Sequence, residues 1–125
     1  MATRIRLYRG DVLPQLLMSF KDRDTGEPID LSASTTVVTM AFALSGSTTA
    51  LFTLTGVKQT GELLFDNTVD TTVSPAGRGG RVLFTFGAGD LDLDPAYYVG
   101  EFSIDYDGDV ETVPDQLKFS LKEPL

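Results

Sequence analysis

Cysteine, histidine and tryptophan are all missing from this 125-residue sequence. Without cysteine there is no disulfide framework, no thiolate metal site and no cysteine nucleophile. Without histidine the usual general base is gone, so any acid–base chemistry would have to rest on carboxylates and lysine. No run of 18 apolar residues exists, and the opening Met1-Ala2-Thr3-Arg4-Ile5-Arg6-Leu7 lacks the apolar segment and cleavage site of a secretory signal. Basic residues are scarce: 10 against 18 acidic ones, a net charge of −8. That balance argues against general electrostatic binding to nucleic acid or to anionic lipid, so neither nucleic acid nor membrane is expected as a partner. Helical periodicity is absent too, since every apolar window fits period 2 better than 3.6. There is no internal repeat and no low-complexity tract.

What is present is alternation. The length suits one domain over residues 1–125, enough to bury a single two-layer core. Ile5 and Leu7 alternate with Arg4, Arg6 and Tyr8, which suits residues 1–9 as an edge strand or an arm that pairs when a partner is present. Leu16, Met18 and Phe20 share one face of a second strand, with Gln15, Ser19 and Lys21 on the other, and Asp22 to Pro28 forms a polar turn. From Thr35 to Leu44 runs the strongest central strand. Val38, Met40, Phe42 and Leu44 lie on one face of it, and Val37, Thr39, Ala41 and Ala43, small and apolar enough to be covered, lie on the other, so the strand is expected to be buried on both sides.

Ala50 to Leu54 reads as another strand, Leu63 to Phe65 and Thr68 to Val73 as weaker ones, and Ser74 to Gly80 as a mobile loop without an apolar anchor. Arg81 to Phe86 is again a strand. The stretch from Asp94 to Leu121 is the best defined: Tyr98, Gly100, Phe102, Ile104 and Tyr106 share one parity, Asp107-Gly108-Asp109 supplies the turn, and Leu117, Phe119 and Leu121 alternate on the return. About seven or eight short strands with frequent turns predict an all-β fold, an immunoglobulin-like antiparallel sandwich with free edges at Ile5 to Leu7 and Leu117 to Leu121.

A tyrosine just inside a strand after Asp94-Pro95 resembles the tyrosine corner of immunoglobulin-like sandwiches, although Val99 stands where cysteine would follow Tyr97. Tyr97 or Tyr98 is expected to bond backbone near Leu91 to Asp94. Phe20 to Ser32 (FKDRDTGEPIDLS), Tyr97 to Phe102 (YYVGEF) and Thr112-Val113-Pro114-Asp115 together resemble the immunoglobulin-like N-terminal module of phage baseplate upper proteins, and similar small modules of tailed-phage virions. The resemblance implies a structural, assembling part of a virion, with no catalytic residue and no cofactor.

Several motifs invite sharper chemistry. Asp24-Thr25-Gly26 matches the tripeptide of dimeric aspartic proteases, but Lys21, Asp22, Arg23 and Glu27 around it make a solvated turn rather than the apolar setting that paired carboxylates need. Asp105, Asp107 and Asp109 alternate like oxygen ligands of calcium, yet Val110 stands where an EF-hand loop has glycine and Gln116 where it has its bidentate glutamate. Asp90, Asp92 and Asp94 alternate in the same way. Arg9-Gly10-Asp11 is the integrin-binding tripeptide placed where a bend needs glycine. Gly77-Arg78-Gly79-Gly80 lacks the Lys-Ser/Thr of a phosphate loop and the helix that follows one.

Two functions remain. One is a non-enzymatic virion structural protein (tail, baseplate, neck or capsid accessory) that binds other virion proteins and copies of itself. The other is a module that recognises host-surface glycan or protein through its loops. The aromatics fall mostly on inward strand positions, which favours assembly. Charge adds a specific expectation. Arg4, Arg6 and Arg9 lead the chain without an acidic neighbour, whereas Asp90 to Asp115 holds nine carboxylates and no lysine or arginine. The arm is therefore expected either to dock on the acidic hairpin of a neighbouring subunit or to pair within its own.

Overall fold

A computed structural model describes residues 4–12, 14–114 and 116–125. It contains no helix among them and eleven strands: β1 Ile5–Tyr8, β2 Gln15–Ser19, β3 Thr36–Leu44, β4 Phe52–Thr55, β5 Val57–Lys58, β6 Glu62–Leu63, β7 Val69–Asp70, β8 Arg81–Thr85, β9 Ala96–Tyr106, β10 Asp109–Thr112 and β11 Leu117–Lys122. The larger sheet has the order β1-β11-β9-β3-β4, with β10 also on β9; β2, β8 and β5 form the second sheet, and β6 and β7 a small separate hairpin. With β2, β8 and β5 opposite β11, β9, β3 and β4, the connectivity is that of strands B, E, D and G, F, C, C′ of an immunoglobulin-like sandwich. One pairing departs from an all-antiparallel arrangement, because β1 runs parallel to β11.

The central strand β9 pairs with β3 from Tyr98 to Tyr106 on one side and with the return arm β10 and β11 on the other. Its inward residues Tyr98, Phe102 and Ile104 meet Val38, Met40 and Phe42 of β3 and Phe119 and Leu121 of β11, all buried. Phe20, Val82, Phe84 and Phe86 close the core from the second sheet. Phe42 lies at its centre, stacked on Phe52 at 4.9 Å and on Tyr98 at 5.2 Å, and edge-on to Phe86 at 5.7 Å. Phe102 bridges the sheets through Phe20 and Phe84, each at 5.3 Å. Such pairs add about 0.5–1.5 kcal/mol each beyond area burial. Gly56 lets the chain change sheets between β4 and β5: a Cβ there would sit 2.1 Å from a Val82 methyl.

Three expectations are corrected. The outer face of β3 is covered only at its end: Val37 is 41% exposed and Thr39 and Ala41 are half-buried, while Ala43 is buried beside the Ser47 to Ala50 loop, because the sandwich has two layers and no further layer of the described residues lies over the outside of the larger sheet. Leu117 to Leu121 is no edge, since β1 occupies its outer side; the free edges of the larger sheet are β1, β10 and β4. The segment from Ser74 to Gly80 is anchored through its backbone. The Leu31 N–H donates to Gly77 O at 2.8 Å, the Gly77 N–H to Gln59 O at 2.9 Å and the Phe20 N–H to Gly80 O at 2.8 Å. Gly77, Gly79 and Gly80 are buried. These glycines serve close approach of main chains rather than mobility.

Candidate functional site

The turn holding Asp24 is built around its neighbour. The N–H groups of Asp24 and Thr25 donate to Asp22 Oδ1 at 2.8 and 3.1 Å, and the Gly26 N–H to Asp22 O at 2.8 Å. A cleft of about 310 Å³ lies beside it, lined by Lys21, Asp22, Arg23, Asp24 and Glu111 around Phe20, Ile29 and Val113. All five charged residues are solvent-exposed, so the cleft mixes charges of both signs without the desolvation that acid–base or paired-carboxylate chemistry draws on.

Asp105, Asp107 and Asp109 are taken up by the β9–β10 turn. Asp107 and Gly108 both have positive φ (57° and 103°), the geometry of a tight hairpin turn, and the Gly108 N–H donates to Asp105 Oδ1 at 2.6 Å. Among the described residues no three acidic side chains come together as a metal site. Asp115, which ends the last motif of the resemblance, lies outside the described residues. In the other acidic run, Asp90 Oδ2 accepts the Gly87 N–H at 2.7 Å and Asp92 pairs with Arg9.

Between Tyr97 and Tyr98 the structure chooses the second. The buried Tyr98 hydroxyl donates to the Asp94 carbonyl at 2.5 Å, and burial pushes its pKa up. Tyr97, next in the strand, points the other way and is 57% exposed, with the Arg4 guanidinium 4.1 Å from its ring centroid.

The three leading arginines have different fates. Arg9 begins a bend in which Gly10 takes φ 84° and donates its N–H to Leu91 O. Its guanidinium is 3.1 Å from Asp92, 3.0 Å from Glu123 and 3.9 Å from Asp94, and the hydrogen bonds to Glu123 and Asp92 raise its pKa. Arg9-Gly10-Asp11 is thus an internal clamp joining the chain start, the 90–94 loop and the C-terminal strand. Arg6 is exposed and has no carboxylate partner among the described residues, while Arg4 leans on Tyr97 and reaches Phe119 O at 3.5 Å. Residues 5–8 pair with β11 of their own subunit; Met1 to Thr3 lie outside the described residues.

Among the described residues the outside of the larger sheet has no second layer over it. Its middle is a shallow depression of about 340 Å³ floored by Ala41, Ala43 and Val99 and rimmed by Ser47, Thr48, Glu101 and Gln116. Beside it, β1 and β11 present Arg4, Arg6, Lys118 and Lys122. A second feature escaped the sequence reading. Phe65, expected in a strand, stands 99% exposed at the tip of the β6–β7 hairpin. That tip is held by Asp66, whose Oδ1 accepts the Thr68 N–H at 3.1 Å and hydroxyl at 2.6 Å, and by Asn67 at φ 66°. The signal was Asp66-Asn67, two residues that favour turns and so cut the apolar run short.

Comparison of the chain with protein-family models, with curated proteins and with solved structures finds no match in any of the three.

Proposed function

We propose that this chain is a non-enzymatic structural protein of a tailed-bacteriophage virion, an immunoglobulin-like module of tail, baseplate, neck or capsid accessory that works by packing against other virion proteins. The observation that carries the reading is the outer face of the larger sheet, a depression small-residued at Ala41, Ala43 and Val99 with no second layer of the described residues over it. A face of that kind lets a partner's backbone or sheet approach closely, and free edges at β1, β10 and β4 offer main-chain hydrogen bonds beside it. The likeness of the Phe20 to Ser32 and Tyr97 to Phe102 motifs to baseplate upper proteins supplies the virion part of the proposal. Mass spectrometry of gradient-purified particles tests it. Peptides of this chain at the abundance of a structural protein support the reading, and their absence from particles overturns it.

Phe65 favours a second reading, recognition of a host-surface glycan or protein through the loops, because a fully exposed ring is suited to stacking on a sugar or filling a partner's pocket. The two separate cleanly: Phe65→Ala would abolish host-cell binding under the second reading and leave particle incorporation intact.

A further inference from the structure

We propose that the outer face of β1, β11 and β9 is a docking surface for an acidic segment of another virion protein, with its carboxylates on Arg6, Lys118 and Lys122 and its apolar side on Ala43 and Val99. This deepens the assembly reading and rests on it, by giving the chemistry of the partner. The strand register sets out the face row by row. Arg6 stands opposite Ser120 and Tyr8 opposite Lys122. Ser120 in turn stands opposite Tyr97, Lys118 opposite Val99, and Val99 opposite Ala43. Successive residues of a strand point to opposite faces, so Arg6, Lys118 and Lys122 emerge on the face of Tyr97, Val99 and Ala43, away from the buried Leu7, Phe119 and Leu121. With strands about 4.8 Å apart and a rise of about 3.3 Å per residue, the Cα atoms of Lys118 and Lys122 each lie about 8 Å from that of Arg6.

These three charges are unmet. Elsewhere in the chain Arg9 is held by Asp92, Asp94 and Glu123, and Lys58, Arg78 and Arg81 donate to backbone carbonyls at 2.7, 3.4 and 2.6 Å. Arg6, Lys118 and Lys122 are exposed, and the side chain of none makes an ion pair or hydrogen bond among the described residues. Glu101, at one diagonal of Lys118, instead accepts from Gln116 Nε2 at 3.1 Å. Three cations within diagonal reach repel one another and gain from an anionic neighbour. Beside them the depression of about 340 Å³ presents short side chains, room in which a segment can seat apolar residues of its own. Cations alongside a small apolar floor suit a polypeptide that is acidic on one side and apolar on the other. Nucleic acid suits the face less, because its dense charge is opposed along its length by the rest of a chain of net charge −8.

Two measurements test the proposal. Carbodiimide joins an amine to a carboxylate in contact with it, so purified particles treated with it should yield peptides in which Lys118 or Lys122 is cross-linked to an acidic residue of a different protein. For the purified chain the probe is a synthetic helical peptide with leucines along one side and glutamates along the other, titrated at low salt. Amide chemical-shift changes are expected to gather at Arg6, Lys118, Lys122 and Val99. The R6E/K118E variant should bind at least about tenfold more weakly with an unchanged circular dichroism spectrum. K21E/R78E, which makes the same change in net charge outside β1 and β11, should bind like the wild type. A peptide that does not bind overturns the proposal, as does binding that survives R6E/K118E, or single-stranded DNA bound more tightly than the peptide through the same residues. If the chain is present in particles but Lys118 and Lys122 form no such cross-link, the surface is wrong and the assembly reading stands. If the chain is absent from particles while the peptide binds as expected, the virion reading falls and the acid-binding surface stands.

Discussion

At the scale of single residues, Tyr98 and Phe102 illustrate how neighbours on one face of β9 differ in what they contribute. Tyr98→Phe keeps the ring against Phe42 and loses only the bond to the Asp94 carbonyl, and so should destabilise by about 1 kcal/mol. Phe102→Ala removes a ring that bridges both sheets and should destabilise by roughly 3 kcal/mol or more. Shifts in the denaturant midpoint measure both, and equal negligible losses would contradict the inward face assigned here. The small acid-turn motifs respond to pH. Side-chain and backbone hydrogen bonds from Ser32, Thr68 and Thr72 hold the carboxyls of Asp30, Asp66 and Asp70 below the ordinary aspartate value of 3.8. Below that value the unfolded chain takes up protons first, so the stability these groups contribute is complete above 3.8 and lost as the pH falls through their lowered folded values. The D66N/D70N variant should show a flatter decline of thermal midpoint in acid than the wild type.

At the scale of elements, β1 and the glycine segment before β8 are the places where the molecule depends on pairing rather than propensity. β1 covers the side of β11 and buries Leu7, so deleting residues 1–8 should lower folding stability. A deletion that left the thermal midpoint unchanged would mean that the arm belongs to a neighbour and not to its own sandwich. Gly79→Ala would bring a Cβ to 2.1 Å from the Gly61 carbonyl oxygen, a clash with main chain that no rotamer relieves. The expected loss is about 1–3 kcal/mol, from overpacking, read from urea denaturation.

At the scale of the whole molecule, the distribution of charge and of small residues matters more than their totals. The chain is acidic overall, yet Arg6, Lys118 and Lys122 stand together on the outer face of β1 and β11, beside the depression floored by Ala41, Ala43 and Val99. The outer face offers a separate test of the assembly reading. Ala41→Glu places a charge on the floor of the depression without touching the core, and its position opposite Glu101 should cost no more than about 1 kcal/mol of stability. Its expected effect is loss of incorporation into particles. An A41E protein incorporated at the wild-type level would show that this face is not the contact.

Strand periodicity, turn positions and the inward parity of β3, β9 and β11 were legible in the amino-acid sequence, because each rests on neighbours within a few residues: alternation along Tyr98 to Tyr106, the positive-φ pair Asp107-Gly108, the apolar positions around Phe42. The solvated turn around Asp24 was legible for the same reason. Which face of β3 stays open and whether β11 is an edge were decided only when distant segments met. Small residues such as Ala41 and Ala43 suit a covered face and an open one alike, and glycines such as Gly77 and Gly79 suit a mobile loop and a tightly packed one alike. Arg6 and Arg9 stand three residues apart in one basic segment, and only the arrival of Asp92 and Glu123 beside the second makes one an internal clamp and leaves the other facing solvent. Local chemistry sets period and turn, while burial and pairing depend on what the rest of the chain brings to the other side.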